Sequence, residues 1–89
     1  MSTPTLYVKT GCPYCTAATD YLDQHQIVYE EIDVRGDAAG MAKLKEISGQ
    51  TRTPTLQWDG KVLANFGTDE LEKFLAQRAA EKKVVNSAD

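Results

Sequence analysis

Thr5-Leu6-Tyr7-Val8-Lys9-Thr10-Gly11-Cys12-Pro13-Tyr14-Cys15 reads as a strand, a turn and the start of a helix, with two cysteines at the junction. The run from Thr5 to Lys9 is apolar, aromatic and β-branched, and Thr10-Gly11 interrupts it. Proline suits the first position of a helix, since its fixed φ fits there and its missing N–H would be unpaired anyway. The motif therefore predicts Cys12 at an N-cap and a helix over Pro13 to Gln24, with Cys15, Ala18 and Leu22 on one face.

The two sulfurs are expected to differ. Side chains three apart on a helix have Cβ atoms roughly 5–6 Å apart, slightly wider than the ~3.5–4.5 Å of a disulfide, so a small adjustment closes the bond. Cys12 faces the unpaired N–H groups and positive dipole end of the first turn, and Lys9 adds a cation on that side. A free thiol of pKa about 8.5 is only a few per cent ionised at neutral pH, whereas one lowered to about 6.5 is mostly thiolate. Cys12 is thus the expected nucleophile. Cys15, on the face that packs against a sheet, keeps its proton longer and is the expected resolving thiol.

Further along, Ile27 to Asp33 predicts a second strand with a charged edge, and Arg35-Gly36-Asp37 a turn in which Asp37 can cap the next helix. That helix covers Ala38 to Ser48, with Met41, Leu44 and Ile47 inward, and ends at Gly49. Thr55 to Trp58 and Lys61 to Ala64 form a hairpin around Asp59-Gly60, with Trp58 expected in the core. A last helix begins near Thr68, its expected N-cap. Leu71 stands where a capping box wants Glu or Gln, while Asp69 and Glu70 suit the first turn. Its buried stripe is Leu71, Phe74, Leu75 and Ala79, and residues 84–89 are expected to fray. The order βαβ, helix, ββα predicts an α/β fold: a four-stranded mixed sheet flanked by three helices in one domain spanning residues 1–89.

Composition narrows the chemistry. A net charge of −3 with no basic cluster argues against nucleic acid, and no apolar run is long enough for a membrane span. Met1-Ser2-Thr3-Pro4 lacks the basic and apolar regions of a signal peptide, so the expected location is the cytoplasm, where a cysteine pair is catalytic or metal-binding more often than structural. A structural zinc site wants four Cys or His ligands, and the chain has Cys12, Cys15 and His25 alone. No metal site is expected, and His25 is read as a residue at the end of the first helix. A short Cys12–Cys15 loop would also remove little chain entropy, which disfavours a purely structural disulfide.

The first strand, Cys12-Pro13-Tyr14-Cys15 at a helix start, and the Thr53-Pro54 step before the third strand together resemble a glutaredoxin of the dithiol type, within the thioredoxin-fold superfamily. The resemblance implies a cis Pro54 against the cysteine pair and glutathione as co-substrate, with no permanently bound cofactor. It implies glutathione contacts at Lys9 and Gln50 for a carboxylate, Tyr14 beside the pair, the Thr53 backbone and Pro54 for the cysteinyl part, and Thr68 and Asp69 for the γ-glutamyl end. Implied partners are disulfide-bearing or glutathionylated proteins, and the chain is expected to be a monomer.

Two departures stand beside it. Many glutaredoxins have Thr-Val-Pro where this chain has Arg52-Thr53-Pro54, and the stretch Ala64-Asn65-Phe66-Gly67-Thr68-Asp69-Glu70 resembles the glutaredoxin-like hydrogen donors of ribonucleotide reductase, which thioredoxin reductase recharges. Two electron sources thus stay open, glutathione and thioredoxin reductase. An iron–sulfur cluster held between two subunits by Cys12 and glutathione ranks below both.

Overall fold

A computed structural model of the chain describes residues 3–87, with side chains through residue 78. It contains β1 (Thr5–Val8), α1 (Pro13–Gln24), β2 (Glu30–Asp33), α2 (Ala38–Ser48), β3 (Thr55–Trp58), β4 (Lys61–Ala64) and α3 (Thr68–Ser87). The sheet runs β2-β1-β3-β4, with β1 parallel to β2 and antiparallel to β3, and β3 antiparallel to β4. This is the expected mixed sheet with three helices. Among the described residues no helix is long and apolar enough to cross a membrane.

Alternation along β1 splits the interior between the two faces of the sheet. Leu6 and Val8 point to the side of Cys15, Ala18 and Leu22 of α1 and Leu71 of α3, joined by Leu56 and Phe66. Tyr7 points to the other side, onto Val34 and Leu44, with Ile32, Met41 and Ile47 packed around them. All three inward faces expected of the helices are there, and only the Ala79 side chain lies outside the described ones. Full burial of each such Leu or Val side chain contributes about 1.5–3 kcal/mol.

Several boundaries and one packing expectation are corrected. β2 begins at Glu30, not Ile27: Gln26 takes a positive φ of 57°, the Ile27 N–H bonds back to the Leu22 carbonyl, and pairing starts at Thr5 opposite Glu30. Residues 27–29 have no β1 residue to pair with, and Val28 is left exposed. β1 stops at Val8, which leaves Lys9 in the loop before α1. α3 passes the expected end near residue 84 and reaches Ser87, as its strong helix formers Ala79-Ala80-Glu81-Lys82-Lys83 extend the hydrogen-bond ladder. Residues 88 and 89 lie outside the described ones. Trp58 is half-buried at the end of β3, outside both core clusters, with the Arg78 guanidinium 3.8 Å from its ring centre. Arg78 also pairs with Asp59, so α3 grips the hairpin at its turn.

The hairpin turn follows its sequence signal, since Asp59 and Gly60 both have positive φ, 52° and 79°, as a type I′ turn requires. α2 is capped as expected, the Asp37 carboxylate accepting the Gly40 N–H at 2.9 Å and Gly49 closing the far end at φ 72°. His25 ends α1 as its C-cap residue, exposed, with its ring stacked on Tyr21 at 4.3 Å.

Gly40 brings α2 close onto β2. A Cβ there would sit 2.6 Å from Ile32 Cγ2 and 3.2 Å from Asp37 Cγ, meeting both β2 and the capping residue. Alanine is favoured over glycine inside a helix by about 1 kcal/mol, but overpacking of this kind costs roughly 1–3 kcal/mol. Gly40→Ala is expected to destabilise the protein, and a urea midpoint unchanged or raised would contradict the close packing of α2 on β2.

Candidate active site

The loop between β1 and α1 is fixed at both ends. The Thr10 hydroxyl hydrogen-bonds the Asp33 carboxylate at the end of β2, and Gly11 turns the chain with φ at +86°. The Thr10 hydroxyl and then the Arg35 backbone N–H hold the Asp33 carboxyl below its usual range. The Cys12 N–H then bonds to the Lys9 carbonyl at 3.2 Å.

Cys12 is the N-cap of α1, in extended conformation with φ −88° and ψ 116°, and Pro13 follows at the first helical position. Its Sγ accepts the Cys15 N–H at 3.3 Å, taking the place a Ser or Asp oxygen fills in an ordinary cap. Its carbonyl accepts the Thr16 N–H at 3.1 Å and the Thr16 hydroxyl at 3.3 Å. Cys12 is half-exposed and Cys15 buried, and both are free thiols.

Their acidities diverge as the sequence anticipated, though not for all the anticipated reasons. Burial opposes ionisation of Cys12, but hydrogen bonds from the Cys15 side chain and backbone, the Thr53 side chain and the Tyr14 backbone outweigh it and hold Cys12 below the ordinary thiol value. Burial pushes the Cys15 thiol up, and its hydrogen bond to Cys12 adds to the rise. The expected electrostatic help from Lys9 is not among the main causes at Cys12. Lys9 acts instead through its backbone, which accepts from Cys12 and donates to Cys15.

The loop between α2 and β3 closes one side of the dithiol. The Thr53–Pro54 peptide bond is cis, and both residues are buried. Gln50 shapes this loop: its amide nitrogen lies 2.8 Å from the Ser48 hydroxyl and 3.3 Å from that of Thr55, and its oxygen accepts the Arg52 N–H at 2.6 Å. The Thr55 hydroxyl donates to the Arg52 carbonyl at 2.9 Å. Gln50, expected at a ligand carboxylate, thus has both ends of its amide engaged within the protein. The Phe66 N–H reaches the Pro54 carbonyl at 3.4 Å and draws the start of α3 towards the same corner.

Thr68 is the first residue of α3 and not its cap. Gly67 precedes the helix, its carbonyl accepts the Leu71 N–H at 3.0 Å, and Glu70 reaches back to its N–H at 2.8 Å. This is the returning half of a capping box, which the sequence conceals because the cap position holds glycine. The Gly67 backbone bond keeps the Glu70 carboxyl below its usual range.

The candidate contacts fall into separate places. Cys12 and Cys15 meet through the bond from the Cys15 N–H to Cys12 Sγ, and the Thr53 side chain lies near enough to influence both sulfurs. Tyr14, two-thirds exposed at 67%, lines an open cleft of about 300 Å³ with Asn65, Phe66, Gly67 and Glu70. Thr68 and Asp69 line a different cleft, of about 420 Å³, against Asp20, Tyr21 and Gln24 of α1. Asn65, Phe66 and Glu70 were not foreseen as lining residues; the spacing of Gly67 and Glu70 was the available signal. Among the described residues no group of three or more His, Cys, Asp or Glu side chains is placed to hold a metal ion. An exposed, acidified thiol hydrogen-bonded to a buried, proton-retaining one is equipped for thiol–disulfide exchange.

Comparison with known proteins agrees with this geometry. The glutaredoxin family model matches residues 5–63. Glutaredoxin 3 of Escherichia coli is 30% identical over 71 residues, covering 80% of this chain and 83% of that protein. The hybrid peroxiredoxin hyPrx5 of Haemophilus influenzae is 34% identical over 71 residues, 80% of this chain, but the chain spans only 28% of its length. Among solved structures, the thioredoxin-like protein BC3987 superposes with a TM-score of 0.74 at 32% identity, covering 80% of this chain and 97% of that one. A buckwheat glutaredoxin–glutathione complex superposes with a TM-score of 0.58 at 27% identity, over 66% of this chain and 56% of that one. The architecture is the thioredoxin fold.

The unequal acidities have a direct readout. Brief iodoacetamide treatment of the reduced protein at neutral pH is expected to add one alkyl group, at Cys12, at a rate rising with pH through a midpoint below that of an ordinary thiol. Mass spectrometry locates the adduct. Equal labelling of Cys12 and Cys15 would contradict the division between them.

Proposed function

The chain belongs to the glutaredoxin family, and from that premise we propose that it is a glutathione-dependent thiol–disulfide oxidoreductase acting on protein disulfides and on glutathione mixed disulfides. The observation that carries the reading is Cys12 at the N-cap of α1, half-exposed and acidified, with the buried Cys15 one turn behind it.

In this reading the Cys12 thiolate attacks one sulfur of a substrate disulfide. The substrate S–S bond breaks, its other sulfur leaves as a thiolate and takes a proton, and Cys12 is held in a mixed disulfide. Cys15 then loses its proton, attacks Cys12 Sγ and expels the second substrate thiolate. The substrate gains two electrons and two protons as the Cys12–Cys15 bond forms. One glutathione thiolate reopens that bond at Cys12, a second attacks the bound glutathione sulfur, and glutathione disulfide departs.

Support for glutathione comes from the family and from the buckwheat glutaredoxin that carries it. In this reading Tyr14 and the Thr53 backbone take the cysteinyl part and Lys9 a carboxylate, and the γ-glutamyl end extends past the Tyr14 cleft to Thr68 and Asp69 in the separate one. Glutathione is then a co-substrate, and the protein a cytoplasmic monomer that needs no permanent cofactor. A second reading, recharging by thioredoxin reductase, is favoured by one observation: Gln50 is engaged inside its own loop and is not free for a ligand carboxylate without breaking those bonds.

Cys15→Ser is expected to retain removal of glutathione from glutathionylated proteins but to lose dithiol reduction of protein disulfides, while Cys12→Ser loses both by at least about a hundredfold. Full activity of Cys12→Ser would refute the assignment. An NADPH-coupled assay with glutathione and glutathione reductase, or with thioredoxin reductase alone, separates the two electron sources. Failure of glutathione to reduce the oxidised protein would sink the leading one.

A further inference from the structure

Asp33 closes β2 opposite Val8, where β1 ends and the chain leaves the sheet for Cys12. Both oxygens of its carboxylate are used, and by different segments. One accepts the Thr10 hydroxyl from the loop before α1, the other the Arg35 N–H at 3.0 Å from the turn before α2. The backbone there is pinned as well: the Asp33 carbonyl accepts the Gly36 N–H at 3.2 Å, and the Val34 N–H reaches the Val8 carbonyl at 2.9 Å. The carboxylate that Thr10 meets is thus held by β2 and its turn, not by α1.

Thr10 is the second residue of a tight turn, Lys9 to Cys12, closed by the Cys12 N–H on the Lys9 carbonyl at 3.2 Å. Gly11, third in that turn, has φ +86°, near the value of about +80° that a type II turn asks of the position. A turn built around glycine moves readily as a unit, because glycine restricts its backbone least. Any such movement carries Cys12 with it, and Cys12 Sγ is the acceptor that receives the Cys15 N–H at 3.3 Å. The side-chain bond from Thr10 to Asp33 anchors the turn to the sheet.

We propose that Thr10 and Asp33 are positioning residues for the reaction at Cys12: their hydrogen bond fixes the turn so that the Cys12 sulfur stays at the N-cap of α1, where the Cys15 N–H stabilises its thiolate. They act through the backbone of the turn, and no proton or electron passes through them. The Thr10 hydroxyl and then the Arg35 N–H hold the Asp33 carboxyl below its usual range, so at neutral pH it is an ionised acceptor, the kind that makes the stronger hydrogen bond. A carboxylate also acts by charge alone, and the two routes have opposite signs. Through space a negative charge disfavours a nearby thiolate, so its loss makes Cys12 more acidic. Through the turn, its loss frees Cys12 from the cap and makes it less acidic.

The inference rests on Cys12 as the nucleophile but not on glutathione as the reductant, so iodoacetamide alkylation across a pH series is the readout. Thr10 is exposed, and Thr10→Val removes the hydroxyl at nearly constant shape without touching any charge. Thr10→Val and Asp33→Ala should each shift the midpoint of the rate profile upwards and slow alkylation at neutral pH by about 3–10-fold, the size of one net hydrogen bond. The double variant should be no slower than either single one, since a single bond is lost in all three. Thr10→Ser keeps the donor. Asp33→Asn removes the charge yet leaves Thr10 a partner, because a hydroxyl donates to an amide oxygen or accepts from its nitrogen. Both should stay within about twofold of wild type. A midpoint unchanged in Thr10→Val, a midpoint lowered in Asp33→Ala, additive losses in the double variant, or an Asp33→Asn protein as displaced as Asp33→Ala would each overturn the proposal. Equal labelling of Cys12 and Cys15 in the wild-type protein would bring it down together with the reading beneath it.

Discussion

One contact sets the terms for the rest: the Cys15 N–H points at Cys12 Sγ, so a sulfur occupies the place of a helix cap. A helix start needs an acceptor for its unpaired N–H groups, and a thiol needs donors if it is to ionise. Here one geometry meets both needs. Pro13 makes the arrangement possible by starting the helix without an N–H of its own, and Gly11 makes it reachable by turning the chain at a positive φ. The Thr10 to Asp33 hydrogen bond ties that turn to the end of β2, so the site inherits the rigidity of the parallel β1–β2 pair.

The division of labour between the thiols follows from the sheet. α1 must lay Cys15, Ala18 and Leu22 against Leu6, Val8 and Leu56 to bury its apolar face, and a cysteine on that face is desolvated whatever its neighbours. Cys12, one turn earlier and at the helix end, stays half-exposed. Burial makes one sulfur a reservoir for the proton, and the cap geometry makes the other a nucleophile. The contrast arises from packing and hydrogen bonding more than from any nearby cation, and Lys9 contributes through its backbone.

Legibility in the sequence varied with the range of the interaction involved. The Asp37 cap, the Gly49 stop, the Asp59-Gly60 turn and the α1 start are settled within four or five residues, and each stands where the sequence places it. Boundaries that depend on a partner strand were less legible: β2 loses Ile27 to Tyr29 because β1 is too short to pair them. At the start of α3 a glycine cap hid the role of Glu70, so the helix was expected to begin one residue late. Trp58 looked like a core residue by type, yet it lies under Arg78, a residue twenty positions downstream that only the packing of α3 brings to it.

By itself the sequence determined the chemistry and the frame that carries it: a Cys12/Cys15 pair on a helix start, the order of strands and helices, and which face of each helix is apolar. Those are consequences of periodicity, turn residues and capping, all local. Only the tertiary structure decided what surrounds the sulfurs. It turned Gln50 inward to brace its loop and parted Thr68 and Asp69 from the cleft beside Tyr14. It also brought the buried Thr53–Pro54 step near the two cysteines. Proximity between residues some forty positions apart depends on where two loops come to rest, and nothing in the spacing of residues along the chain encodes that position.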